Sequence, residues 1–134
     1  MQTIATICAA SLAAAAGAAM AGEVPALPSG QELRFYERID PGVWPAGQKS
    51  VHFRFVAPRI ARDGGDITIA GAADDMQLLC DDFALKMLAG EEMPDRIIIN
   101  LTDREVPFGE ADPEATQFFE AYRVENGVCI WEAF

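Results

Sequence analysis

The stretch VENGVCIWEAF, residues 124–134, decides how this chain is read. Asn-Gly between alternating apolar residues is a strong hairpin signal, because a two-residue type I′ turn needs positive φ at both central positions. With Asn126 and Gly127 in that turn, Glu125 faces Val128, Val124 faces Cys129 and Tyr122 faces Trp131. The two-residue period then puts Cys129 and Trp131 on one face with Val124, Tyr122 and Phe118. That face is nearly all apolar, so it is predicted to be the core side. Glu120 shares it, and reads either as a residue near the sheet end or as the partner of a basic residue such as Arg123 or Arg54.

Upstream, RIIINL (96–101) is β-branched and continuous, as a central strand buried on both faces would be. SVHFRFV (50–56) alternates, with Val51, Phe53 and Phe55 on one side and His52 and Arg54 on the other. ELRFYERI (32–39) reads as a strand ended by Pro41-Gly42, and ITIA (67–70) as a short returning strand. Between them, AADDMQLLCDDFALKMLAG (72–90) places Met76, Leu79, Cys80, Phe83 and Met87 on one helical stripe, with Asp74 and Asp75 near its start and Gly90 past its end. The predicted fold is α+β: a mostly antiparallel sheet of five or six strands with one main helix on one face, in the order β-β-β-α-β-β-β.

The first 22 residues contain no charged side chain, and an Ala-rich apolar run ends at Ala19-Met20-Ala21 before a Pro-containing polar stretch. That succession predicts a signal peptide over 1–21, a flexible leader over 22–31 and a single domain over 32–134. No Lys or Arg precedes the apolar run, so only the α-amino group supplies the usual positive charge. Cys8 follows Ile7, where lipidation needs a small residue. The expected location is periplasmic or secreted, with no membrane span in the mature chain. All charged residues lie beyond the leader run, 10 basic against 21 acidic, for a net charge of −11. Nucleic acids and anionic lipid need a basic face, so they are excluded as partners.

Within the mature chain Cys80 and Cys129 each sit on the predicted buried side of an element, and an exported context favours a disulfide between them. A metal site needs clustered ligands, and CxxC or HxxxH spacing is absent. A Cys–His nucleophile pair needs His52 beside a thiol, whereas the strand alternation turns His52 away from the core stripe. No phosphate loop, GxSxG, HExxH or paired-acid signature occurs, so no cofactor, metal or catalytic residue is assigned.

The acidic segment TDREVPFGEADPEA (102–115) is the expected partner surface, carried by Asp103, Arg104, Glu105, Phe108, Glu110 and Asp112. Its carboxylates do not follow a DxDxDG calcium spacing. The stretches FRFVAPRIARDGG, MQLLCDD and LTDREVPFGEADPEATQFFEAYRVENGVCIWEAF resemble an uncharacterised family of small secreted bacterial proteins, a domain of unknown function. Some members carry the automatic label acetolactate synthase. The label lacks support here, since a thiamine-diphosphate enzyme needs several domains and a diphosphate-metal site. The resemblance implies no activity and no site residues. The expected role is a non-catalytic binding or accessory module for a protein or small ligand. One alternative is a small enzyme whose site lies where loop 102–115 meets His52 and Arg54. Another is an envelope assembly subunit pairing through the 32–39 edge.

Overall fold

The computed structural model describes residues 23–43 and 47–133, so the expected signal peptide over 1–21 lies outside them. Five strands form one sheet in spatial order β1-β2-β3-β4-β5: β1 (Arg34–Val43), β2 (Lys49–Val56), β3 (Arg96–Thr102), β4 (Gln117–Glu125) and β5 (Val128–Glu132). All neighbours are antiparallel except β2 and β3, which run parallel because the helix crosses over between them. The class is therefore α+β, with a mostly antiparallel sheet and one main helix.

The chain order is β-β-α-β-β-β, which corrects the expected extra strand before the helix. ITIA does not pair. Thr68 is instead the N-cap, its hydroxyl accepting the Gly71 N–H at 3.1 Å, and the helix starts at Ile69. Three β-branched residues suggested a strand, but a capping threonine three residues before a backbone donor outweighs that local preference. Pro41-Gly42 likewise does not end β1. The strand continues through a bulge between Ile39 and Gly42.

The helix α1 runs Ile69–Leu79, passes through a π-helical turn at Cys80–Ala84 and finishes at Leu85–Met87. The turn is closed by the Leu85 N–H reaching the Cys80 carbonyl. One residue is inserted there, which shifts the apolar stripe by one position. Met76, Leu79, Cys80 and Phe83 are buried as their spacing predicts, but Leu88 rather than Met87 completes the stripe. These side chains cover Val51, Phe53 and Phe55 of β2 and Ile97, Ile99 and Leu101 of β3.

The hairpin has the register expected from its turn: Glu125 faces Val128, Val124 faces Cys129 and Tyr122 faces Trp131. Asn126 and Gly127 have φ of 51° and 78°, as a type I′ turn requires. Cys129 is bonded to Cys80 with a Cα–Cα distance of 6.2 Å. Trp131, however, is not in the core. It is 55% exposed on the edge strand, two residues beyond the Cys129 that the helix holds. Its indole N–H donates to Glu120, which accounts for a carboxylate on an apolar strand face.

Residues 23–33 carry no helix or strand, yet they lie against α1. Asp75 is fully buried and accepts the Ser29 N–H at 2.9 Å, the Ser29 hydroxyl at 2.5 Å and the Gln31 amide at 2.8 Å. Leu27 is buried in the core cluster, with Val24 and Leu33 packed at its margin. The segment expected as a flexible leader is thus tied down by one carboxylate on the helix.

Candidate functional site

The helix covers one side of the sheet. On the other side, strand alternation and register bring Glu37, Arg54, Asn100 and Phe119 into one row, and Ile39, His52, Ile98 and Ala121 into the next. Arg54 lies at the centre and is 3% exposed. Its Nε donates to Asn100 Oδ1 at 3.0 Å, and its Nη1 is hydrogen-bonded to Glu37. The Asn100 amide in turn reaches the Phe118 carbonyl at 3.1 Å and Gln117 Oε1 at 3.3 Å. A buried guanidinium needs such a fixed set of acceptors, since removing them leaves an uncompensated charge.

The loop 103–116 folds down onto this row. Phe108 stands edge-on to His52 with centroids 5.0 Å apart, and the Arg54 guanidinium lies 5.6 Å from the Phe108 centroid and 5.2 Å from that of Tyr36. Arg54 is thereby held between two aromatic faces, an arrangement that suits its weakly hydrated planar cation. Burial, reinforced by the Arg54 charge, pushes the His52 pKa below its ordinary value, so the imidazole is neutral near pH 7. Its Nδ1 is buried and has no hydrogen-bond partner among the described residues. The same holds for Ser50 Oγ and Arg96 Nε.

The six expected surface residues separate by task. Asp103 fastens the loop's two ends, accepting the Thr116 N–H at 2.9 Å and bonding the Arg104 guanidinium at 2.9 Å. Burial pushes its carboxyl up, but Arg104 and the Thr116 N–H outweigh that and hold it below the usual carboxylate value. Asp112 accepts the Glu114 N–H at 3.0 Å in a local turn. Glu105 pairs with Arg34 of β1 at 2.5 Å. Only Phe108 reaches the Arg54 row, and it remains 42% exposed. Glu110 is exposed, its backbone N–H closing a turn to the Pro107 carbonyl. The acidic residues of this segment thus mostly build the loop, while its one aromatic residue shapes the face.

Glu37, Tyr36, Asn100 and Ser50 were not singled out from sequence. Asn100 had a signal, as an amide inside a continuous β-branched run is a buried polar group in need of partners. The bulge between Phe35 and Glu37, which sets which β1 side chains face Arg54, had none. Grooves of about 560 Å³ along 24–33, and of about 280 and 270 Å³ beside Arg62 and Glu91, are not lined by His52, Arg54 or Phe108. Among the described residues no group of His, Cys, Asp and Glu is placed to hold a metal ion.

Fold and face together define a disulfide-stapled sheet-and-helix domain, with one side of the sheet closed by a helix and the other by a loop. The chain belongs to the Family of unknown function (DUF6497), whose pattern it matches over residues 7–134. No curated protein and no solved structure matches it. Among the described residues no helix is long and apolar enough to cross a membrane.

Proposed function

We propose that this protein is an exported, non-catalytic binding or accessory module that engages its partner through the helix-free face of the sheet, around Phe108. In this reading residues 1–21 are removed on export and 32–134 form the domain, with residues 23–31 fastened to its helix. The observation that carries it is the way the face is finished. Its centre is a rigid, internally satisfied ionic row, and two phenylalanines, Phe108 and Phe119, stand 42% and 44% exposed beside it. Aromatic side chains on a rigid frame are typical anchors of binding interfaces. The buried disulfide between helix and edge strand suits an oxidising compartment.

A catalytic reading has less to stand on. Among the described residues Ser50 Oγ and His52 Nδ1 each lack a partner, so they form no nucleophile–base hydrogen bond with one another. Edge pairing into an assembly is also disfavoured. The outer edge of β1 is broken by two bulges, and β5 is clamped at Cys129, whose N–H is accepted by Asp81 and whose carbonyl accepts from Gln77.

The test is partner capture from an exported-protein extract with immobilised oxidised protein. Serine at positions 108 and 119 should abolish capture while leaving thermal unfolding near wild type. Capture undiminished by both changes would refute the face.

A further inference from the structure

Three buried side-chain atoms that have no partner among the described residues come from neighbouring positions on one face: Ser50 Oγ, His52 Nδ1 and Arg96 Nε. Ser50 and His52 alternate with the core residue Val51, and Arg96 is the register partner of Ser50 on β3. Neighbouring strands lie about 4.8 Å apart, and alternate residues along a strand about 6.6 Å. The three side chains therefore rise from neighbouring positions at one end of the helix-free face. Ser50 is 3% exposed, so its hydroxyl is not simply left to bulk water. Native sheets rarely leave such groups unpaired, and three in one patch need an explanation.

We infer that Ser50, His52 and Arg96 form a binding site for a carboxylate group. This rests on the helix-free face being the binding face. The donor set decides the chemistry. Arg96 Nε carries a hydrogen and never accepts, the serine hydroxyl donates, and a neutral imidazole offers Nδ1–H in one tautomer. In that tautomer the patch offers three donors, which an acceptor-only group can satisfy together. The nearby acids are already engaged: Glu37 with Arg54, and Glu132 with Arg96 Nη2 at 3.3 Å and Arg123 Nη1 at 3.5 Å. Arg123 also pairs with Glu125. Among the described residues the Nε–H of Arg96 is left without an acceptor. A monoanion fits better than a phosphate dianion, because Glu37 and Glu132 flank the patch and the whole chain carries −11. Phe108, packed on His52 from the loop, is the side chain that must shift to admit the ligand.

The test uses full-chain protein with the disulfide formed and arginine and histidine labelled with nitrogen-15. Acetate is titrated against chloride at matched ionic strength and against neutral acetamide. Acetate should move the Arg96 Nε and His52 Nδ1 resonances saturably, while chloride and acetamide do not. Ser50→Ala removes a hydroxyl that has no partner in the free protein, so folding should be unharmed while acetate affinity falls about tenfold or more. Arg96→Lys should abolish the His52 response. Absence of saturation in folded protein, equal shifts with acetamide, or unchanged affinity in Ser50→Ala would overturn the inference. An acetylated dipeptide and its amide identify the source of the carboxylate. Tighter binding of the acid form than of acetate points to a chain terminus, and equal or weaker binding to a free small acid; both support the site. Partner capture that depends on Phe108 and Phe119 without any acetate response would sink the carboxylate site alone. An acetate response with capture indifferent to the phenylalanines would sink the partner face alone.

Discussion

Removing the staple with the double substitution C80A/C129A should cost about 4 kcal/mol. The bond joins residues 49 apart in sequence. In the chain-entropy description, closing a loop of that length removes about 14 cal/mol/K from the unfolded ensemble, or about 4 kcal/mol at 25 °C. The folded state should change little. Val124 and Cys129 form a pair whose backbone groups point away from each other, because the pair next to the turn is Glu125 with Val128. The free groups of Cys129 meet the helix instead: its N–H donates to Asp81 Oδ1 at 2.8 Å and its carbonyl accepts from Gln77 at 2.8 Å. Hence β5 should stay docked without the bond, and nearly the whole loss belongs to the unfolded chain. For a domain of this size that corresponds to about 12–25 °C in Tm. Urea unfolding should show a lower midpoint with an equal or larger slope, since the uncrosslinked unfolded chain exposes more surface. A loss below about 1 kcal/mol would refute the entropic account. Lost amide protection across β5 in the still-folded variant would refute the clamp.

Other expectations follow from the same contacts. Asp81→Ala should leave the Cys129 N–H without its charged acceptor and cost about 1–3 kcal/mol in urea unfolding, in addition to the staple. Glu37→Ala should destabilise by about 2–3 kcal/mol, at or below the lower end for breaking a buried pair because Glu37 is about one-third exposed while Arg54 is buried. Asp75→Ala should release residues 23–31 to limited proteolysis, with the sheet amides still protected; unchanged cleavage would count against the anchoring role of Asp75.

The hairpin was legible because it is local. Asn126-Gly127 sets the register, and the register decides which side of β5 faces the helix. Cys80 was legible because helical periodicity is local too. The misread features depend on what lies far away in sequence. Trp131 belongs to an apolar face, yet it stands exposed on the edge strand two residues beyond the Cys129 that the helix holds. The switch from Met87 to Leu88 needs the π turn, which comes exactly where the chain bonds across to β5. Strand alternation places Arg54 opposite the core stripe, and nothing in the pattern marks it as buried. Its burial depends on Phe108 and Tyr36, which arrive from a loop and from a bulged strand. Patterning reports one neighbour shell along the chain, and the candidate face is assembled from four strands and a loop.

That assembly gives the face a measurable pH signature. The folded-state pKa of His52 is lowered by burial and then by Arg54. The unfolded chain therefore binds a proton more readily than the folded one. Stability from this residue is fully present above the unfolded value near 6.5 and is lost as pH falls from there toward the folded value. Phe108→Ala uncovers the ring and lets water solvate the imidazolium, so the His52 pKa should move back toward its ordinary value and the loss should shrink. An NMR titration of the imidazole in both proteins reads this directly. An unchanged His52 pKa in Phe108→Ala would mean that the loop does not desolvate the ring, and the loop would then lose its place as the cover of the face.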